Sequence, residues 1–236
     1  MNEVLLKPFN NCIKELKEFL KVKDLKYKNR AEASNAVASF FRMINPKTER
    51  EYDNFYKLCD DYVYENVYCN SENSVKQRAK KVLQVLNENN IKTILEIGIG
   101  VGSYAIALAE LGFDVSVLRS DNLAFRFFEE RNKKYGSKVK IIDGLKEMQF
   151  DCILHFDVIE HIVDPFSFID FISTHTKSTL FTHGLGIHSE KMGGYPQHFD
   201  FKINDIKKHF EKNGFIKTKV SCPIFPPHFY KLKGGD

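Results

Sequence analysis

The sequence predicts an α/β protein: a doubly wound, mostly parallel sheet with an antiparallel hairpin near its C-terminal end and a helical extension at its N-terminal end. Three observations carry this. From Lys92 onward, short apolar runs alternate with helix-periodic segments, the pattern of a parallel sheet covered by helices on both faces. The first of those runs ends in glycines at alternate positions, Gly98, Gly100 and Gly102, where strand must turn into helix. Residues 1–90 show helical periodicity and no strand-like run. A chain of 236 residues suffices for one sizeable domain with an appendage, so the expected division is 1–90 for the helical extension and 91–236 for the sheet domain.

Each element has its own signal. Leu5, Phe9, Cys12, Ile13, Leu16, Phe19 and Leu20 recur at helical steps. A second helix, AEASNAVASFFRMI, runs into the breaker Asn45-Pro46. An aromatic-rich third is expected from Thr48 to about Tyr68, and a fourth from near Ser71 to around Asn87. The strand TILEIGI then leads to the helix SYAIALAELG, stopped by Gly112. The run FDVSVL is β-like, and LAFRFFEERNKKYG is a helix closed by Gly136. KVKIID, FDCILHF and STLFTHG supply three more strands, with helical stretches among them. In the tail, the helix NDIKKHFEKNG precedes FIKTKVSC, a proline-rich turn and HFYKLK, which read as the edge hairpin.

Bulk properties exclude several classes. No run approaches the roughly 18 apolar residues that cross a bilayer, so a membrane partner is not expected. The N-terminal residues lack the basic and apolar regions of a secretory signal. Five scattered cysteines without a C-x-x-C pair argue against a disulfide framework or a zinc ribbon, and for a reducing, cytoplasmic setting. A net charge of +4 permits an anionic ligand. Without a Lys/Arg stripe interleaved with aromatics, it argues against nucleic acid.

In doubly wound sheets the ligand sits beyond the carboxyl ends of the strands, at the first strand-to-helix turn. There Gly98 allows the tight turn, Gly100 the close approach of a ligand, and Gly102 the entry to the helix. The spacing is G-x-G-x-G, with Ser103 where a dinucleotide fingerprint has its third glycine and Arg119 where that fold wants a ribose-binding acid.

The stretch E-I-G-I-G-V-G, with Glu96 two residues before the first glycine, resembles motif I of the class I S-adenosylmethionine-dependent methyltransferases. FDCILHFDVIEHIVDP resembles a segment of the ubiquinone-methyltransferase-like branch, and HFDFKINDIKKHFEKNGF is similar to the segment that closes those domains. The resemblance spans about residues 91–220 and implies a Rossmann-like, seven-stranded sheet with S-adenosyl-L-methionine as cofactor. It implies that the glycine loop receives the methionine and ribose part, with Glu96 holding the amino group indirectly or positioning the loop. Family members carry an acid after strand two for the ribose hydroxyls; here Arg119 stands there, and Asp121 is the nearest carboxylate. Asp121 is also read as the N-cap of the next helix. Asp143 matches the acid near the adenine amino group, or is a turn residue before Gly144. His155 either touches the cofactor or packs on its strand.

The chemistry is expected beyond strand four. The resemblance places His161 near the substrate, as general base or orienting group; imidazole ordinarily titrates near neutrality. Asp157, Glu160 and His161 are spaced i, i+3, i+4. One reading makes Asp157 a helix cap and Glu160 the partner in a capping box. The other makes the three ligands of a divalent cation, with His183, His188 or His198 as fourth. The expectation is Glu160 and His161 as catalytic residues, no metal, and activity that survives a chelator. Asp164-Pro165 reads as an N-cap followed by proline at the first helical position. The glycine- and histidine-rich segment 182–201 reads as a lid or specificity element, or as an irregular connection.

The leading expectation is methyl transfer to oxygen or nitrogen of a small metabolite. The alternatives are a metal-assisted RNA-end 2′-O-methyltransferase and a non-catalytic cofactor-binding domain. The extension is expected to cover the substrate mouth, with a homodimer the other use for it.

Overall fold

A computed structural model describes residues 2–183, 194–218 and 228–233. Five helices come first: α1 (Asn2–Leu20), α2 (Arg30–Ile44), α3 (Glu49–Leu58), α4 (Tyr62–Ser71) and α5 (Asn73–Glu88). Sequence capping rules account for their ends. Asn29 caps α2 by accepting from the Glu32 N–H, and left-handed Asn45 stops it before Pro46. Thr48 and Glu51 form a reciprocal capping box on α3. The single aromatic helix expected from Thr48 to Tyr68 is two. Cys59 leaves helical geometry at ψ 84°, and the adjoining Asp60-Asp61 pair favours helix starts over helix interiors.

The sheet has seven strands: β1 (Thr93–Ile97), β2 (Asp114–Leu118), β3 (Lys140–Ile142), β4 (Phe150–His155), β5 (Thr176–Thr182), β6 (Phe215–Thr218) and β7 (His228–Leu232). Their order is β3-β2-β1-β4-β5-β7-β6. The first five are parallel, whereas β7 runs antiparallel between β5 and β6. The expected seven-stranded, mostly parallel sheet with its antiparallel C-terminal pair is the fold observed. The proline-rich turn between those two strands, Cys222 included, lies outside the described residues. The remaining helices are α6 (Ser103–Glu110), α7 (Leu123–Tyr135), α8 (Pro165–Thr174) and α9 (Ile203–Lys212). Asp164 caps α8 through the Phe166 and Ser167 N–H groups, with Pro165 at its start, as the sequence indicated.

Two cores sandwich the sheet, because successive strand residues point to opposite faces. Cys152 and Leu154 join Val115, Val117, Val82 and Leu86 on one face. Ile153 joins Leu95, Leu180, Ile169 and Phe210 on the other. The first core also contains Leu5 and Phe9 of α1 and a full stripe of α5, so residues on both sides of position 90 share it. A third cluster packs Cys12 and Leu16 of α1 with Val63 and Val67 of α4, Val101 and Phe127. Among the described residues, no helix is long and apolar enough to cross a membrane.

One charged side chain ties these layers. Arg131, on α7, is 1 % exposed. Its Nε donates to Glu15 at 2.8 Å and one terminal nitrogen donates to Ser103 Oγ at 3.1 Å. The guanidinium also donates to the carbonyls of Val101 and Pro8. Removing one partner of a buried ion pair leaves the other desolvated and alone. Arg131→Ala is therefore expected to cost about 3–5 kcal/mol, read as a lower urea midpoint. A loss below about 1 kcal/mol would show that the node is dispensable.

Candidate functional site

All three glycines of the loop after β1 are left-handed, with φ of 71°, 53° and 71°. Non-glycine residues rarely adopt that region. Each also faces protein: a Cβ on Gly98 would overlap Val158, one on Gly100 would overlap Asn66, and one on Gly102 would overlap Phe128. Gly102 caps α6 and leads into it, as expected. Gly100 differs from expectation, because Asn66 of α4 occupies the space above its backbone. Part of the close approach is thus made by the helical extension.

Two connected chambers open around this loop. The outer, about 300 Å³, lies between the loop, the end of β2, the start of α7 and residues of α3, including Tyr52 and Tyr56. The inner, about 130 Å³, reaches Glu65, Arg78, Glu96, Glu160, Gln197 and His198. Tyr62, Gly98, Ile99, Asp157 and His161 line both.

Glu96 lies in β1, is buried, and lines the inner chamber. Burial pushes its carboxyl up to about 8, against the opposing pull of the Ala105 N–H at the start of α6. Its Oε2 has no partner. After β2, Arg119 lines the outer chamber and donates to Asp143 Oδ1 at 2.6 Å, with Glu129 at 3.5 Å. Asp143 is thereby engaged at the rim, its side chain 81 % exposed. Gly144 has open space where a Cβ would stand. Neither of the two lines a chamber. Asp121 is exposed and lines neither, and it is not the helix cap: Asn122 caps α7, accepting from the Phe125 N–H at 2.8 Å. His155 sits on the face of β4 away from the loop, its ring edge-on to Phe168 at 5.3 Å. Both its nitrogens lack partners, and burial pulls its pKa down to about 3.

The segment after β4 departs from the expected helix. Ile159–His161 is a single 3-10 turn whose N-cap is Val158, and Asp157 is left-handed at φ 55°. Asp157 therefore caps nothing, and the Asp157–Glu160 capping box does not form. Asp157 instead accepts from Arg78 at 3.2 Å and bonds His183 Nδ1. Burial opposes its ionisation, but His183 and Arg78 outweigh burial and hold the carboxyl well below the usual range. Turned to those partners, it is not part of a shared ligand set with Glu160 and His161. Among the described residues, no group of three or more His, Cys, Asp or Glu stands close enough to hold a metal ion. His188 and the stretch 184–193 lie outside the described residues.

Glu160 is buried; burial, then the nearby Asp157, pushes its carboxyl well above the ordinary range. His161 Nδ1 shares a 2.6 Å hydrogen bond with the Tyr56 hydroxyl from α3. Burial and then His198 pull its pKa down to about 3. The ring is therefore neutral at physiological pH, not poised near neutrality as an unperturbed imidazole would be.

The functional neighbourhood includes residues the sequence reading did not single out. Arg78 donates to Tyr104 Oη at 3.0 Å and lies over the Phe156 ring at 5.0 Å. Its signal was present: it falls on the apolar stripe Val75, Ala79 and Val82 of α5, where a solvated arginine has no place. Tyr56 and Asn66 carried no such signal, because their partners are about 35 to 105 residues away.

No family model matches the sequence, and no curated protein matches it. Solved structures do match its fold. Magnesium protoporphyrin IX methyltransferase from Synechocystis PCC 6803, solved with S-adenosylhomocysteine, superposes with a TM-score of 0.52 at 16 % identity, over 83 % of this chain and 94 % of its own. An S-adenosylmethionine-dependent methyltransferase from Clostridium acetobutylicum ATCC 824 gives 0.58 at 13 %, over 73 % and 97 %. An O-methyltransferase family protein from Burkholderia thailandensis gives 0.53 at 10 %, over 74 % and 62 %. The chain thus has the mixed seven-stranded α/β fold of S-adenosylmethionine-dependent methyltransferases.

The reassigned cap is open to measurement. Asn122→Ala is expected to lower stability by about 1 kcal/mol, and Asp121→Ala by less than about 0.5 kcal/mol. The reverse ranking in paired denaturation curves would restore Asp121 as the cap.

Proposed function

We propose that the protein is a methyltransferase that carries a methyl group from S-adenosyl-L-methionine to a small-molecule acceptor. The observation that carries the reading is the pair of chambers: a larger cleft over the left-handed Gly98 and Gly100, and beside it a smaller one that shares Gly98 and is lined by buried charged side chains. The motif FDCILHFDVIEHIVDP supports placement in the ubiquinone-methyltransferase-like branch.

The residues present fit the cofactor. Gly98, Gly100 and Gly102 would hold its backbone-hugging part, and the unpartnered Oε2 of Glu96 offers an acceptor beside them. Arg119 would meet the ribose side, with Asp143 held by Arg119 at the adenine side and Gly144 next to it. Asp121 and His155 have no place in this assignment: one is outside the cleft and the other behind the sheet. When bound, the cofactor supplies an electrophilic methyl on sulfur. The protein's task is to align a nucleophile with it and exclude water. His161, neutral and fixed by Tyr56, orients the acceptor. A cleft of about 300 Å³ walled partly by the helical extension favours a small molecule over a polymer.

Four measurements test the reading. S-Adenosylhomocysteine is expected to bind in calorimetry, and absence of binding to the folded protein would remove the proposal. Gly100→Val should weaken that binding at least about tenfold, since overpacking costs about 1–3 kcal/mol, while the far-ultraviolet dichroism is kept. His161→Ala should cut turnover roughly 10²-fold and leave S-adenosylhomocysteine affinity within about twofold, because the ring acts on the acceptor and not on the cofactor. Turnover is expected to survive a chelator, since Asp157 is committed to Arg78 and His183; loss restored by magnesium or manganese would reverse that expectation.

A further inference from the structure

The inner chamber holds more hydrogen-bond acceptors than the protein satisfies. Glu160 Oε2 and Gln197 Oε1 both line it, are buried and have no partner. Glu160 is 1 % exposed and Gln197 2 %. Their placement is built into the backbone: the Glu160 carbonyl accepts from the Phe199 N–H at 2.8 Å, tying the turn that carries Glu160 to the segment that carries Gln197. Buried polar groups are normally paired, so such an acceptor, aimed into a cavity, is completed by a ligand that brings donors.

Charge points the same way. The two guanidinium groups at the chamber already have carboxylate partners, Arg30 in Glu72 at 3.1 and 3.2 Å and Arg78 in Asp157, although Arg30 Nε has no acceptor among the described residues. That leaves three carboxyls, Glu160, Glu65 and Glu96, without an ion-pair partner among the described residues. Glu65 is satisfied differently, accepting from Ser34 Oγ at 2.6 Å. Glu96 is given to the cofactor in the reading above, which leaves Glu160 for a positively charged acceptor.

The wall beside Glu160 is aromatic. Tyr62, His161, His198 and Tyr195 line the inner chamber and, through Tyr56 of the outer one, form a continuous chain of edge-to-face rings, Tyr62–Tyr56–His161–His198–Tyr195, with successive centroids 5.4, 5.5, 4.7 and 5.4 Å apart. Ring faces and a carboxylate together are the chemistry that recognises an ammonium group. A primary ammonium brings three donors and a charge, whereas a hydroxyl brings one donor and none. We infer that the methyl acceptor is a small primary or secondary amine, held as its ammonium ion by Glu160 against this aromatic wall. This rests on the methyltransferase reading.

The proton account closes. Ionised Glu160 pairs with the incoming ammonium and takes one of its protons, which frees the nitrogen lone pair. A nitrogen–carbon bond to the methyl forms as the sulfur–carbon bond breaks, and the positive charge passes from sulfur to nitrogen. The methylated ammonium departs, and Glu160 returns its proton to water.

The test begins with S-adenosylhomocysteine calorimetry, which decides the methyltransferase reading independently. Protein that binds it is then given methyl-labelled S-adenosylmethionine with a panel of small primary and secondary amines and their matched alcohols and phenols. Products are identified by mass spectrometry. N-methyl products alone are expected. O-methyl products, or no transfer to any amine, would overturn the assignment. On the best amine of the panel, Glu160→Gln should lower kcat/KM at least about 10²-fold while keeping wild-type affinity for S-adenosylhomocysteine. Wild-type kcat/KM in that variant would equally overturn it.

Discussion

The geometry of the site depends on one buried guanidinium. Arg131 reaches from α7 to α1 through Glu15 and the Pro8 carbonyl, and to the end of the glycine loop through Val101 and Ser103. A buried charge is tolerable only when its hydrogen bonds are nearly all made, and these are directional. Satisfying Arg131 therefore fixes where α1, α7 and the loop stand relative to one another. The same side chain lies over the Phe127 ring at 5.5 Å, so it also packs the cluster that joins α1 to α4. The helices in front of the sheet are thus held in register with the loop they cover.

That register gives the extension a place in the site. Asn66 of α4 fills the volume above Gly100, Tyr56 of α3 bonds His161, and the Tyr52 ring meets Phe199 at 4.9 Å. Contacts of this kind convert an open α/β crevice into enclosed chambers. Burial then changes the chemistry of the residues inside: it holds the His161 ring neutral and pushes the Glu160 carboxyl well above its ordinary range.

Most of the sheet was legible because its signals are local. Apolar runs such as FDVSVL and FDCILHF mark strands whichever helices cover them, and Gly112 and Gly136 end their helices by a conformational rule acting within one turn. The glycines of the loop were legible for the same reason. The segment after β4 was not. DVIEH satisfies the spacing of a capping box, but Asp157 is drawn into the left-handed region by partners at positions 78 and 183, far off in sequence. Tertiary bonds to Arg78 and His183 defeated a local rule. Asp121 failed for a smaller reason, a one-residue difference between two good capping residues, which periodicity cannot resolve. The roles of Glu160 and Tyr56 rest on burial and enclosure, which no local pattern encodes.

The long reach of Arg131 also bears on how the chain is made. The bond from Arg131 to Pro8 spans 123 residues, and that to Glu15 spans 116. During synthesis α1 is made well before α7, so Glu15 precedes its charged partner by 116 residues. Until Arg131 is made, Glu15 lacks that partner, while Cys12 and Leu16 have Val63 and Val67 of α4 to pack on. Closing so long a loop is entropically costly before the contacts that reward it exist. The ion pair that fixes α1 therefore forms later than its packing on α4 and α5, and the buried Glu15 is paired only when α7 docks.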